Sequence, residues 1–301
     1  MSKFIDPSFR LGAIPTDIRC EDFEASLALM RADGLLEADI ESVFGKRPGT
    51  HTDAEHEKIR TLLAQYGVRA RVIGGMTFRN ESLWDIDVGT PKYEQMLTEL
   101  RRQMELAKLL DCRIVRTLFF SKQACIWGHS GAEQRNGYHN KSWDKMRRLF
   151  DAPLALAEAH GVTLAIETGV NIALTSGWLL RSFVESMGSP ALGIIWDPAN
   201  MLINREYPDE TFAEIDRHIV HVHIKDGRYD PVRASITSTA VGQGDLREYL
   251  PSIRRNLEQI GYQGVISLEN FYVPEGKTTL EGYLESVPAF KAAFGNGGME
   301  P

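Results

Sequence analysis

Four acid or imidazole side chains stand at the ends of consecutive short apolar runs: Glu167, Asp197, His223 and Glu269. Their contexts are Ala165-Ile166-Glu167-Thr168, Ile194-Ile195-Trp196-Asp197-Pro198-Ala199-Asn200, His221-Val222-His223-Ile224-Lys225-Asp226 and Ile266-Ser267-Leu268-Glu269-Asn270. Side chains alternate between the two faces of a strand, so each can share a face with the residue two places earlier: Ala165, Ile195, His221 and Ser267. Three carboxylates and one imidazole make a hard, oxygen-rich donor set. It suits Mn²⁺, Mg²⁺ or Co²⁺ better than a structural zinc and leaves positions open for substrate oxygens. Any one of these residues reads equally well as a carboxylate capping the next helix. Four on adjacent strands favour a single divalent metal, because without a cation converging carboxylates repel or need raised pKa values.

The elements that must position them alternate along the chain. Eight strand candidates are Arg10–Ile14, Glu37–Val43, Val68–Ile73, Arg113–Phe119, Val162–Glu167, Leu192–Asp197, Ile219–Lys225 and Val265–Glu269. Glycine precedes several of them (Gly67, Gly161, Gly261), where a left-handed residue closes a helix. Thr52 to Glu55, Asp245 to Glu248 and Thr278 to Glu281 have capping-box spacing, and Thr90-Pro91 opens a helix over Lys92–Leu110 whose apolar stripe faces a core. Eight such repeats without a Pro/Ser-rich linker predict one domain over 1–301, a single (β/α)₈ TIM barrel of α/β class. The competing doubly wound sheet would bring a Gly-rich turn after its first strand. Pro15-Thr16-Asp17 stands there instead, and Gly74-Gly75 is no dinucleotide loop.

Two long loops, 120–141 and 227–244, follow strands and therefore belong at the C-terminal mouth, where barrels bind ligands. The first carries Trp127, His129, Tyr138, His139 and Asn140; the second ends in Gly242-Gln243-Gly244. Trp127, His129 and His139 are candidates for a substrate-closing lid, with ordinary surface residues the alternative. Lys225 lies one pleat nearer the mouth than His223 and is a candidate substrate contact or a solvated lysine. His221, one pleat deeper, reads as a hydrogen-bonded core histidine, with substrate contact the alternative. Glu41 meets a sugar hydroxyl or forms a salt bridge. Trp196 should face outward into the strand–helix core, and His51, His56 and His218 read as surface residues.

The same four motifs, in the same order, resemble the sugar phosphate isomerase/epimerase family of the xylose-isomerase-like barrel superfamily. That group is related to ketose 3-epimerases, inosose-processing enzymes and C-glycoside deglycosidase subunits. The resemblance covers nearly the whole chain and is strongest from Val162 to Asn270. It implies one metal ion, Mn²⁺ the expected species, on Glu167, Asp197, His223 and Glu269, with Glu167 and Glu269 acting as acid/base groups on opposite faces of a sugar. A metal that chelates a carbonyl and the adjacent hydroxyl stabilises an enediolate, and a second group can return the proton from the other side. Ketose 3-epimerases carry a histidine where this chain has Asn200, and their arginine after the strand-seven histidine is differently placed, with Lys225 and Arg228 nearest here. That departure weakens a free-ketose assignment and leaves Asn200, Lys225 and Arg228 as substrate-binding candidates.

The expected activity is therefore isomerisation or epimerisation of a keto-sugar or related polyol. Lyase chemistry, by β-elimination from a 3-keto-glycoside or dehydration of an inosose, starts from the same deprotonation. A non-catalytic sugar-binding barrel is the alternative of another class. A formal charge of −7 and no Lys/Arg block argue against nucleic-acid partners, endonuclease IV-like repair included. With no apolar run of membrane-spanning length, no signal-like N-terminus and three scattered cysteines (Cys20, Cys112, Cys125), the chain reads as cytoplasmic. The expected partners are a small-molecule carbohydrate and further copies of the chain, or a second kind of subunit for a deglycosidase.

Overall fold

The computed structural model describes residues 9–19, 21–121, 141–233 and 235–295. Its strands are β1 (Arg10–Ala13), β2 (Glu37–Ile40), β3 (Arg69–Ile73), β4 (Ile114–Thr117), β5 (Thr163–Glu167), β6 (Leu192–Trp196), β7 (Ile219–Ile224), β8 (Asp226–Asp230), β9 (Ser235–Thr239) and β10 (Val265–Leu268). Eight of these close into a barrel in the order β1-β10-β7-β6-β5-β4-β3-β2, all neighbours parallel, while β8 and β9 form a separate antiparallel pair. The helices are α1 (Phe23–Asp33), α2 (Asp53–Tyr66), α3 (Pro91–Leu109), α4 (Lys141–His160), α5 (Gly177–Met187), α6 (Pro198–Ile203), α7 (Pro208–Ile215), α8 (Leu250–Gln259) and α9 (Thr279–Phe294). None of the described helices is long and apolar enough to cross a membrane.

Local chemistry explains the alternation. Gly34, Gly67 and Gly188 close α1, α2 and α5 in the left-handed region, at φ +77°, +62° and +66°. Capping boxes at Thr52/Glu55 and Thr278/Glu281 start α2 and α9. The spacing at Asp245 does not produce a third box. Asp245 opens a 3₁₀ turn (Asp245–Tyr249), and its carboxylate accepts from Tyr229 N at 2.9 Å instead.

Alternation inside the strands sorts the two layers. Val72, Ala165 and Ile195 fill the barrel interior as a small separate cluster. Trp196, on the opposite face of β6, is fully buried between sheet and helix, its ring 5.4 Å from that of Phe212 on α7. Two expectations are overturned. The 227–244 segment is a hairpin, β8 paired with β9 from Asp226↔Thr239 to Asp230↔Ser235, followed by the Gly242–Gly244 turn. His51 and His56 are buried: the helix that carries His56 packs inward, and His51 Nε2 lies 2.8 Å from the Val43 carbonyl oxygen. Trp127, His129, Tyr138, His139 and Asn140 lie outside the described residues, so the lid expectation stays untested.

Below the mouth on the β4 side, Phe150 of α4 packs against Phe78, Phe119 and Phe183 at ring distances of 5.0, 5.3 and 5.1 Å. Removing a buried ring leaves a cavity as well as losing transfer energy. Phe150→Ala should therefore cost about 3–5 kcal/mol in urea unfolding, and a loss under about 1 kcal/mol would contradict this packing.

Candidate active site

The parallel barrel delivers its strand ends to one mouth, and the four residues singled out from the sequence are all buried there. Glu167 ends β5, while Asp197 and Glu269 directly follow β6 and β10. His223 lies within β7, paired with Ser267 of β10. Among the described residues, Glu167, His223 and Glu269 can offer ligand atoms that all lie within 4.8 Å of one another. His223 Nδ1 is 2.9 Å from Glu167 Oε1 and 4.0 Å from Glu269 Oε2.

Asp197 joins this group from the side. Its Oδ1 accepts from Ala199 N and Asn200 N and caps α6, so the capping role weighed from the sequence is real. Its Oδ2 remains free of that task and bonds the Lys225 ammonium, which also bonds Glu269 Oε2. Lys225 is thus not a solvated lysine: it bridges two carboxylates at the cavity wall. Asn200 donates to the Thr168 carbonyl at 2.8 Å, which secures the start of α6 against β5.

Two site residues were missed from the sequence. Asp39, buried on β2, receives both histidines: His221 Nε2 at 2.8 Å and His223 Nε2 at 3.1 Å from its Oδ2. His221 is accordingly a hydrogen-bonded core histidine. Arg116, buried on β4, pairs with Glu41 and lies 3.1 Å from Glu167 Oε2. Glu41 therefore forms the salt bridge of its two expected roles. A chargeable residue inside an apolar strand was the available signal for both Asp39 and Arg116, because buried charge needs a partner.

The electrostatics follow from this pairing. Burial pushes the Asp39 carboxyl up, but the two histidines outweigh it and hold it well below the usual range. Glu167 is likewise held low, with Arg116 and His223 overriding burial. Asp197 goes the other way: burial raises it to about 7, Glu269 and Glu167 add to the rise, and Lys225 only partly opposes them. Burial would discharge His223, yet Glu167 and Asp39 raise it far above its ordinary value. A carboxylate on each ring nitrogen favours the imidazolium form of His223.

The donor chemistry fits a divalent ion. A ligating histidine usually gives its other ring N–H to a carboxylate, which fixes the tautomer. His223 offers this arrangement, with Nε2 on Asp39 and Nδ1 facing Glu167 and Glu269. The candidate ligands are Glu167, His223 and Glu269, with Asp197 through Oδ2. The cavity above them is about 420 Å³ and is lined by Glu41, Arg79, Asn80, Arg116, Lys225 and Phe271 among others.

A parallel eight-stranded barrel with these strand ends defines a class. The chain belongs to the xylose isomerase-like TIM barrel family, whose family model matches residues 37–292. Within it, a 127-residue stretch is 29% identical to 3-oxo-isoapionate decarboxylase of Pectobacterium atrosepticum, spanning 42% of this chain and 40% of that protein. Less than half of that relative's length is therefore matched. The fold is also similar to a D-tagatose 3-epimerase-like protein, with TM-score 0.72 and 18% identity over 94% of this chain and 96% of that one. The IOLI protein, solved with a zinc atom, has TM-score 0.69 and 18% identity over 95% of this chain and 98% of its own.

Two outcomes follow. Asp39→Asn should weaken divalent-metal affinity about 10–100-fold in calorimetric titration, since orientation of the ligand histidine is lost; unchanged affinity would dissociate Asp39 from the site. Metal must also displace protons from His223 and from Asp197, raised to about 7. Below that value Asp197 is protonated and competes with the ion, so affinity should climb between about pH 6 and pH 8, with net proton release seen in buffers of different ionisation enthalpy.

Proposed function

We propose that this protein is a divalent-metal-dependent isomerase or epimerase of a keto-sugar or related polyol. The observation that carries this reading is the buried convergence of Glu167, His223 and Glu269, with Asp197 linked to Glu269 through Lys225. The expected ion is Mn²⁺, with Mg²⁺ or Co²⁺ also suited to oxygen-rich ligands. When bound, it would act as a Lewis acid toward substrate oxygens and so acidify the carbon-bound hydrogen beside a carbonyl.

The chain's own residues would do the rest. Glu269 and Glu167 reach the cavity from β10 and β5, three positions apart around the barrel with β7 and β6 between them. One carboxylate removes the proton beside the carbonyl and the other returns it, which inverts the centre when the two act on opposite faces. Arg116 holds Glu167 charged and oriented, while Lys225 holds Glu269 and Asp197. Both cations also offer N–H donors to substrate oxygens on which negative charge develops. Asn200 lines the cavity beside Lys225, and its amide is held by the Thr168 carbonyl.

A lyase reading is favoured by one finding, the partial relationship to a decarboxylase. It begins with the same activated carbonyl and ends in loss of a carboxylate or β-substituent. Solvent-deuterium exchange separates the two: epimerisation returns a labelled sugar of unchanged mass class, elimination a dehydrated product, decarboxylation carbon dioxide.

Glu167→Gln and Glu269→Gln keep the size of the side chain but cannot take up a proton at neutral pH. Each should lower turnover about 10²–10⁴-fold, with metal content measured beside the kinetics. In an epimerase, one variant should still exchange the substrate proton with solvent while failing to invert the centre. Near-native turnover in both metal-loaded variants would move the acid/base roles elsewhere.

A further inference from the structure

A second cavity of about 680 Å³ opens beside the catalytic one, larger than it and sharing Val170, Asn200, Lys225 and Phe271 with it as a common wall. Three arginines, each exposed, line it from three different elements: Arg205 just after α6, Arg228 on β8 and Arg247 on the 3₁₀ turn Asp245–Tyr249. Two of them are held by uncharged partners. Arg205 lies 4.0 Å from the centre of the Tyr229 ring, and Arg228 donates through Nε and Nη2 to the Gln243 carbonyl at 3.2 and 2.9 Å. Among the described residues, none of the three is paired with a carboxylate.

The acids of the same wall are mostly occupied by backbone. Asp226 takes N–H groups from Gly227 and Leu246 on one oxygen and from Gly242 and Gly244 on the other, all at 2.8–3.0 Å. Asp245 accepts from Tyr229 N through Oδ2, and Glu248 is the third carboxylate of the lining. Besides Lys225 the lining thus carries three arginines and three carboxylates, and the arginines keep guanidinium N–H donors that no acid among the described residues takes.

Arg205 adds an independent sign. It follows α6 at φ +66°, with Arg205 N on the Leu202 carbonyl and Glu206 N on that of Met201, both at 3.1 Å. This helix-closing geometry favours glycine, and any side chain there carries backbone strain. The Arg205 guanidinium carbon lies 4.0 Å from the centre of the Tyr229 ring, and the planar fork of a guanidinium suits planar anions through two hydrogen bonds.

We propose that this second cavity is an anion subsite, and, resting on the carbohydrate reading of the adjoining site, that the substrate is a sugar derivative with a carboxylate or phosphate group. The reacting carbon then lies beyond Lys225 while the anion sits on Arg205, Arg228 and Arg247. Titration calorimetry of the full-length protein, Mn²⁺-loaded and chelator-treated, tests this with gluconate, 6-phosphogluconate, inorganic phosphate and neutral glucose. The anions should bind both forms, more weakly as salt is raised. Arg205→Gln and Arg228→Gln should each weaken binding about 10–100-fold, the range for hydrogen bonds to charged groups. Arg205→Gly relieves the backbone and should keep or raise the melting temperature while losing anion affinity, which separates binding from folding. Stronger binding of gluconate than of phosphate assigns a carboxylate, the reverse a phosphate. Glucose binding as tightly as gluconate, no anion binding, or wild-type affinity in the arginine variants would overturn the subsite. Because the readout is binding, anion capture without deuterium exchange on any sugar would sink the catalytic reading alone.

Discussion

The structure depends on how buried charge is balanced at the barrel mouth. Glu41, Glu167, Asp197 and Glu269 converge within the barrel mouth, where burial makes like charges a few ångströms apart repel more strongly than in open water. Arg116 is shared between Glu41 and Glu167, Lys225 between Asp197 and Glu269, and His223 faces Glu167, Glu269 and Asp39. Arg116 and Lys225 thus serve two carboxylates each, and His223 three. Truncating one partner would strand the others, a loss of about 3–5 kcal/mol for a buried pair. The balance remains incomplete: with Asp39, five carboxylates face Arg116, Lys225 and His223. A dication seated among these oxygens would complete it, so a metal-binding set and a stability problem are the same feature.

Much of this was legible in the sequence. The four ligand candidates could be found because they end apolar runs, and strand ends in a parallel barrel share one mouth. The eight repeats fixed that mouth, and period-two alternation put His221 and Ser267 inside and Trp196 outside. Asp39 and Arg116 were harder. Asp39 lies in the half-acidic segment Glu37-Ala38-Asp39-Ile40, which lacks the apolar run that marks the other site strands. Arg116 follows two apolar residues and reads as a surface arginine until two acids from β2 and β5 are brought to it by closure of the barrel. The 227–244 hairpin was hidden for another reason. Its strand Ser235–Thr239 is polar and exposed, without the apolar alternation that announces a strand.

The end of β7 ties both cavities together. His223, Lys225 and Asp226 are nearly consecutive, yet each serves a different task. His223 aims its ring at the ligand carboxylates. Lys225, two residues on and on the same face, neutralises Asp197 and Glu269 and stands at the common wall of the two cavities. Asp226, on the other face, binds four backbone N–H groups and pins the hairpin and the turn behind it.

That anchoring explains the glycines of Gly242-Gln243-Gly244. Gly242 adopts φ +83°, and a Cβ at Gly244 would lie 2.2 Å from Asp226 Oδ1. Only glycine lets the turn come close enough to deliver two N–H groups to one carboxylate oxygen. The same turn fixes Gln243, whose carbonyl holds Arg228. The carboxylate that opens β8 therefore sets the position of an arginine in the second cavity, while the lysine just before it, between β7 and β8, pairs with the acids of the first. Ligand geometry in the two cavities is consequently linked through a single strand register: a one-residue slip of β7 would exchange the two faces, removing His223 from the acids and Asp226 from its turn together.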